Sequence, residues 1–410
     1  MAGFPTYDAG LLYELDEQAG AILTEFAQKR YARVEPAVLQ PAEIFLERSG
    51  EEIRRRTFAF TDPSGRELCL RPELTIPVCR MHVEQGGRFP ARLSYNGLVF
   101  RHQPAEPDRP TQFYQAGAEL LGLKDEEKGD IEILSLAVES LRAAGLNDFE
   151  MRIGDIGLFS TLINALEVPV QWRARLKRHF WRAGYFEDLV ARLANGKPAT
   201  ERQQLFAHLG TLPEAEARKA FEGLLDVQGG QIQGGRTREE IVDRLIEQAA
   251  EAAAVRLDPK IANTLTQFLA VTGPAKAAFA DIRKLSKSLG SKLDAEVARL
   301  ETRVSALEKL KVGPERITFT ARFGRNMEYY TGFVFELWSR DAEGDVQVAG
   351  GGRYDSMLEN FGAPKNTPAV GFVIRTERVL AARRLAGESK GGRGVPPSKL
   401  QTNVPAGAGH

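Results

Sequence analysis

Cysteine is nearly missing. Cys69 and Cys79 are the two in 410 residues, and their C-x9-C spacing fits no disulfide framework, zinc ribbon or redox pair. Two reduced thiols in the cytosol account for them. Histidine is also sparse. His82, His102, His179, His208 and His410 are scattered, with no H-E-x-x-H pair, so no metal site is expected. Net charge is absent: 55 Lys+Arg stand against 55 Asp+Glu. A protein that grips a polyanion ordinarily carries a basic surplus, so the balance argues against nucleic acid as a partner. No apolar run approaches the ~18–20 residues of a membrane span. The opening Met1-Ala2-Gly3-Phe4-Pro5 lacks the basic and apolar regions of a secretory signal. A cytoplasmic protein with no membrane partner is the expectation.

What is present is an ordinary globular composition, 43% hydrophobic and 27% charged. At roughly 100–200 residues per domain the length predicts two to three domains. Leu11, Leu12, Leu15, Ala19, Ile22, Leu23 and Phe26 recur at helical spacing over 10–32. Residues 58–70 read as strand, turn, strand about Asp62-Pro63-Ser64-Gly65. Residues 91–101 and 112–121 read as two more strands, and 130–144 as a helix. From about 156 the texture becomes helical, rich in Ala, Leu, Glu, Lys and Arg, and ends in the seam Leu293, Val297, Leu300, Val304, Leu307. β texture returns after Gly313-Pro314. The predicted class is α+β: core over 1–155, helical insertion over 156–313, core again over 314–386, and a disordered tail over 387–410. Gly230-Gln231-Ile232-Gln233-Gly234-Gly235-Arg236-Thr237 is one residue from a P-loop, but no apolar strand precedes it, so it reads as a loop between helices.

Four segments carry chemistry: Leu70 to Pro77; Phe100 to Glu119; Arg325 to Glu336; and Ala349 to Asp355 followed by Ala369 to Arg378. Glu73, Gln115 and Glu119 read as strand residues, with Gln115 and Glu119 four apart on one sheet face. A carboxylate–amide–carboxylate cluster suits a small cation such as an α-ammonium or an imidazole. Arg101, Arg325 and Arg378 are candidates to clamp a carboxylate or phosphate. Tyr329 and Tyr330 read as a strand pair pointing to opposite faces, one lining a pocket and one packing. Any one of these residues is more simply a solvated charge or a core tyrosine. Together on one antiparallel sheet they describe an amino-acid pocket.

In order and spacing these segments resemble the catalytic core of histidyl-tRNA synthetases, a class II synthetase fold, over roughly 10–155 and 314–385. The resemblance implies that Glu73, Thr75, Gln115 and Glu119 hold the histidine α-amino group and its surroundings. By the same likeness Arg101 meets the ATP α-phosphate, Arg325 polarises the amino-acid carboxylate, and Tyr329 and Tyr330 are the histidine-specific tyrosines. Tyr354 becomes a pocket wall and Arg378 the motif 3 arginine.

The departures matter as much. Motif 2 Arg-x-Glu reads Arg101-His102-Gln103, and the loop's second arginine falls on Thr111, although Arg109 remains. Leu74 replaces a glycine of the Arg-Pro-Glu-Gly-Thr run. Arg375 stands where motif 3 has a glycine that lets adenosine approach. Arg109 and Arg378 are therefore placed in a vestigial nucleotide site. No α/β anticodon-binding domain is recognisable after the core.

A synthetase-like core of this kind resembles the regulatory subunits of short-form ATP phosphoribosyltransferases of histidine biosynthesis. Ser49 to Arg56 and the turn Thr61 to Arg66 resemble them too. The likeness implies no catalysis by this chain and no cofactor. It implies a catalytic-subunit partner, a homodimer within a hetero-octamer, and histidine as feedback effector. The main rival is a truncated synthetase-like enzyme that activates histidine or another amino acid with ATP. A tRNA-binding or stress-sensing module is a further rival.

Overall fold

The computed structural model describes residues 5–388, apart from 47–49, 104–108, 167, 169–171, 174–175, 178–179, 181–182, 196–204, 207, 228–237, 254–256 and 324–328. Arg325, most of the expected tail and all of the P-loop-like stretch lie outside the described residues.

The first helix, Ala9–Gln28, starts where the Asp8 carboxylate accepts Leu11 N at 2.8 Å, an N-cap. Its buried stripe is Leu15, Ala19, Ile22 and Phe26, as the spacing predicts. The strands follow in chain order as β1 (Ala32–Arg33), β2 (Leu39–Pro41), β3 (Ala59–Thr61), β4 (Glu67–Leu70), β5 (Ala91–Phe100), β6 (Gln112–Leu121), β7 (Glu150–Asp155), β8 (Thr272–Pro274), β9 (Ile317–Thr320), β10 (Phe333–Asp341), β11 (Gly344–Arg353) and β12 (Ala369–Arg375). The predicted turn joins β3 to β4. Asp62 Oδ1 accepts Ser64 N at 2.8 Å and Arg66 N at 2.9 Å, and Gly65 sits at φ 83°, where glycine is favoured.

Among the described residues one sheet has nine strands in the order β1-β5-β6-β12-β11-β10-β7-β9-β8. β2-β4-β3 form a separate three-stranded sheet. The single antiparallel sheet expected from the sequence is corrected here. Short strands extend both edges, and β1·β5 and β7·β9 pair parallel, so the sheet is mixed. The helices Ala9–Gln28, Glu126–Ala143 and Thr376–Glu388 pack on one another and on the central strands. They cover the face that carries Ala116, Ala118 and Leu120. The alternate residues of β6, Phe113, Gln115, Gly117 and Glu119, point to the other face, and there the site lies.

The chain divides into two compact units. One comprises Met1–Leu158, Val271–Lys284 and Asp294–His410, the other Phe159–Ala270 and Leu285–Leu293. Helix Asp294–Lys309 therefore clusters with the sheet unit, which makes the helical unit smaller than the 156–313 span drawn from texture. Its buried residues Val297, Leu300, Val304 and Leu307 are those of the predicted seam, packed within one chain. In the helical unit Phe159 stacks on Phe180 at 4.5 Å between ring centres, and a second core gathers Phe221, Val242 and Ala249.

Candidate functional site

The open sheet face holds a cavity of about 10 Å³, room for about one water-sized centre. Six predicted residues line it: Glu73, Thr75, Gln115, Tyr329, Tyr330 and Tyr354. Gly371, Phe372 and Val373 of β12 complete the wall.

Glu73 and Thr75 are not strand residues. Glu73 precedes helix Thr75–Glu84, and its two carboxylate oxygens accept Thr75 N at 2.9 Å and Ile76 N at 2.8 Å. The side chain thus satisfies amides at the helix start that have no partner within the helix. Burial pushes its carboxyl up to about 7, against the pull of the Ile76 and Thr75 amides and the Arg101 charge.

Glu119 is not among the lining residues; it lies fully buried behind them, against Tyr354 of the wall. Tyr95 OH donates to its Oε1 at 2.8 Å, and Tyr354 OH donates to its Oε2. Burial pushes this carboxyl up to about 8. The hydroxyls of Tyr354, Tyr95 and Thr75 oppose the rise, and Glu73 adds to it. Thr75 Oγ1 stands 3.5 Å from Tyr95 OH, so a hydroxyl chain links the two acids. Gln115 is buried, and its Oε1 has no hydrogen-bond partner, an uncommon state for an interior acceptor.

Tyr329 and Tyr330 are not on a strand, since β10 begins at Phe333. They do not face opposite ways either. Their rings lie 4.7 Å apart, both near Tyr354 at 5.7 and 6.5 Å, and both border the cavity. Thr331 sets this: its N–H donates to Arg353 O at 2.8 Å, and its hydroxyl accepts Asp355 N at 3.0 Å.

Among the described residues no arginine lines the cavity. Arg101 Nε donates to Pro72 O at 2.7 Å, and its guanidinium stands 5.4 Å from the centre of the Phe113 ring. Arg375 stacks over the same ring at 4.2 Å. Arg378 Nη1 donates to Gln347 O at 2.9 Å. Arg109 is exposed.

Known proteins bear on this geometry. The family model described as histidyl-tRNA synthetase matches residues 13–260 and 221–379. An ATP phosphoribosyltransferase regulatory subunit from Agrobacterium fabrum is 37% identical over 374 residues, covering 91% of this chain and 98% of that protein. One from Rhizobium meliloti is 37% identical over 383 residues, covering 91% and 99%. The chain belongs to the family of ATP phosphoribosyltransferase regulatory subunits.

Solved structures bear out the class II synthetase-like fold. A Bacillus halodurans protein titled as an ATP phosphoribosyltransferase regulatory subunit/histidyl-tRNA synthetase superposes with TM-score 0.64 at 22% identity, over 92% of this chain and 82% of that one. Apo histidyl-tRNA synthetase of S. aureus gives TM-score 0.53 at 18% identity, over 94% and 74%.

For a member of this regulatory-subunit family, two residues near the pocket escaped the sequence reading. Tyr95 is one. It lies on β5 directly opposite Gly117, and a Cβ at 117 would sit 2.5 Å from its hydroxyl. That pairing was the available signal, but it depends on strand register. Cys79 is the other, a buried thiol 3.8 Å from Tyr354 OH. Its pKa is raised well above the usual thiol value, mainly by burial, so it is an inert packing group. Among the described residues no cluster of His, Cys, Asp or Glu could hold a metal ion, and no helix is long and apolar enough to cross a membrane.

Proposed function

We propose that this chain is the non-catalytic regulatory subunit of a short-form ATP phosphoribosyltransferase, and that histidine is its effector, bound in the pocket between Glu73, Gln115 and the three tyrosines. The single observation that carries the reading is the pocket itself. Two buried acids and an unpartnered amide oxygen offer acceptors to an ammonium group, while aromatic rings offer flat walls to an imidazole. The cavity is smaller than an amino acid, so entry requires side chains such as Tyr329 and Tyr330 to turn aside.

The neighbouring nucleotide region argues against histidine activation. Arg375 lies on Phe113, where its bulk and charge take up the space that a nucleoside would need. The partner is the catalytic subunit, and the assembly is a hetero-octamer containing homodimers of this chain. Feedback needs only that histidine bind the low-activity state better, and a coupling of ~1–3 kcal/mol suffices.

Histidine-dependent ATP–pyrophosphate exchange by the purified chain tests the reading against the truncated-synthetase alternative. Background exchange is expected. Robust exchange would overturn the proposal.

A further inference from the structure

Glu119 is the most deeply buried acid of the site, and among the described residues its hydrogen-bond partners are neutral. Its neighbours come from every element around it. Tyr95 on β5 and Tyr354 after β11 donate to its two oxygens. Thr75 and Cys79 of helix Thr75–Glu84 stand behind those hydroxyls. Glu73, before that helix, is the other acid, and Arg101 acts on Glu73. Among the described residues no cation makes a hydrogen bond or ion pair with Glu119. Backbone approaches from β12, where a Cβ on Gly371 would fall 1.6 Å from Glu119 Oε2, so the carboxyl packs directly against that strand.

We infer that a cationic amine enters this pocket in exchange for a proton held on the Glu119 carboxyl, which passes to solvent, so that effector binding and proton release are linked. The inference rests on the pocket reading proposed above. A buried carboxyl with neutral partners keeps its proton, because burial penalises the charged form. An ammonium brought beside it supplies the missing countercharge and favours the carboxylate. Glu73 ionises more readily, since two backbone amides and the Arg101 charge already support its anion. Glu119 is therefore the acid that changes state. Histidine would then bind more tightly as pH rises from about 6.5 toward 8. The gain is up to about tenfold per pH unit for one linked proton.

Isothermal titration of the assembled complex with L-histidine at pH 7.0, in phosphate and in Tris, counts the protons released. Above pH 6.5 free imidazole is largely neutral, and comparison between variants cancels the ligand's own ionisation. Glu73 adds a share of its own at this pH, so the reading is the difference: wild type should release close to one proton more than Glu119→Gln. Tyr95→Phe removes a donor that supports the carboxylate, so its release should persist to higher pH than in wild type. It carries the comparison if Glu119→Gln binds too weakly to titrate. Release that is absent in wild type, or unchanged in both variants, overturns the inference while leaving the histidine site standing. No binding by wild type at any pH overturns the site and the inference together.

Discussion

At the residue scale Gln115 and Glu119 divide the work. Gln115 Oε1 is buried without a partner, so removing it costs the fold no hydrogen bond and deprives a ligand of one. Gln115→Ala should raise the histidine inhibition constant of the complex about tenfold or more, as the loss of a buried polar contact would, with assembly intact on gel filtration. Glu119 has a folded-state pKa near 8, above its ordinary 4.5. Between those values the folded chain holds a proton that the unfolded chain has released, so the stability contributed by this one group is fully present below about 4.5 and is lost as pH rises toward 8. Glu119→Gln should flatten that decline, which thermal unfolding from pH 5 to 8 will report. Gly371→Ala should destabilise by about 1–3 kcal/mol, because its Cβ would meet both Glu119 Oε2 and, at 2.8 Å, the Ala118 carbonyl. The polar pocket residues were legible because their spacing carried chemistry. Tyr95 was not, because a tyrosine in an apolar strand looks like core until its cross-strand neighbour is known.

At the element scale a buried ionic network joins helices to the sheet. Asp130 on helix Glu126–Ala143 takes Arg353 Nη2 at 2.7 Å on one oxygen and Arg303 Nη2 at 2.5 Å on the other. Arg353 also pairs with Asp355 at 2.9 Å. The Gly-Gly-Arg-Tyr-Asp run thus does two jobs. Tyr354 borders the pocket, while Arg353 and Asp355 fix the turn that seats Thr331 beneath the tyrosine pair. Asp130→Ala would strand the buried Arg303 guanidinium and take one of two carboxylates from Arg353, and about 3–5 kcal/mol of stability should be lost, measured by urea unfolding. The sequence misread the tyrosine pair as strand because aromatic residues favour pleated surfaces. It misread Glu73 for a related reason: an acid two residues before a helix caps that helix only if the chain turns there, and Pro72 alone does not say so.

At the scale of the whole molecule the class II-like fold was legible from the order of four motifs, and the major strands fell where alternation placed them. The extra strands were not. β1 has two residues and β8 three, too short for any alternation to register. The seam of Asp294–Lys309 signals burial, but only contacts show that it packs with the sheet unit. The central claim concerns the assembly, and co-expression with a short-form catalytic subunit tests it most directly, with phosphoribosyl transfer assayed with and without histidine. The account predicts that the catalytic subunit gains activity in the presence of this chain, and that histidine suppresses that gain in wild type but far less in Gln115→Ala. Equal activity with and without this chain, or equal inhibition of both forms, would contradict it.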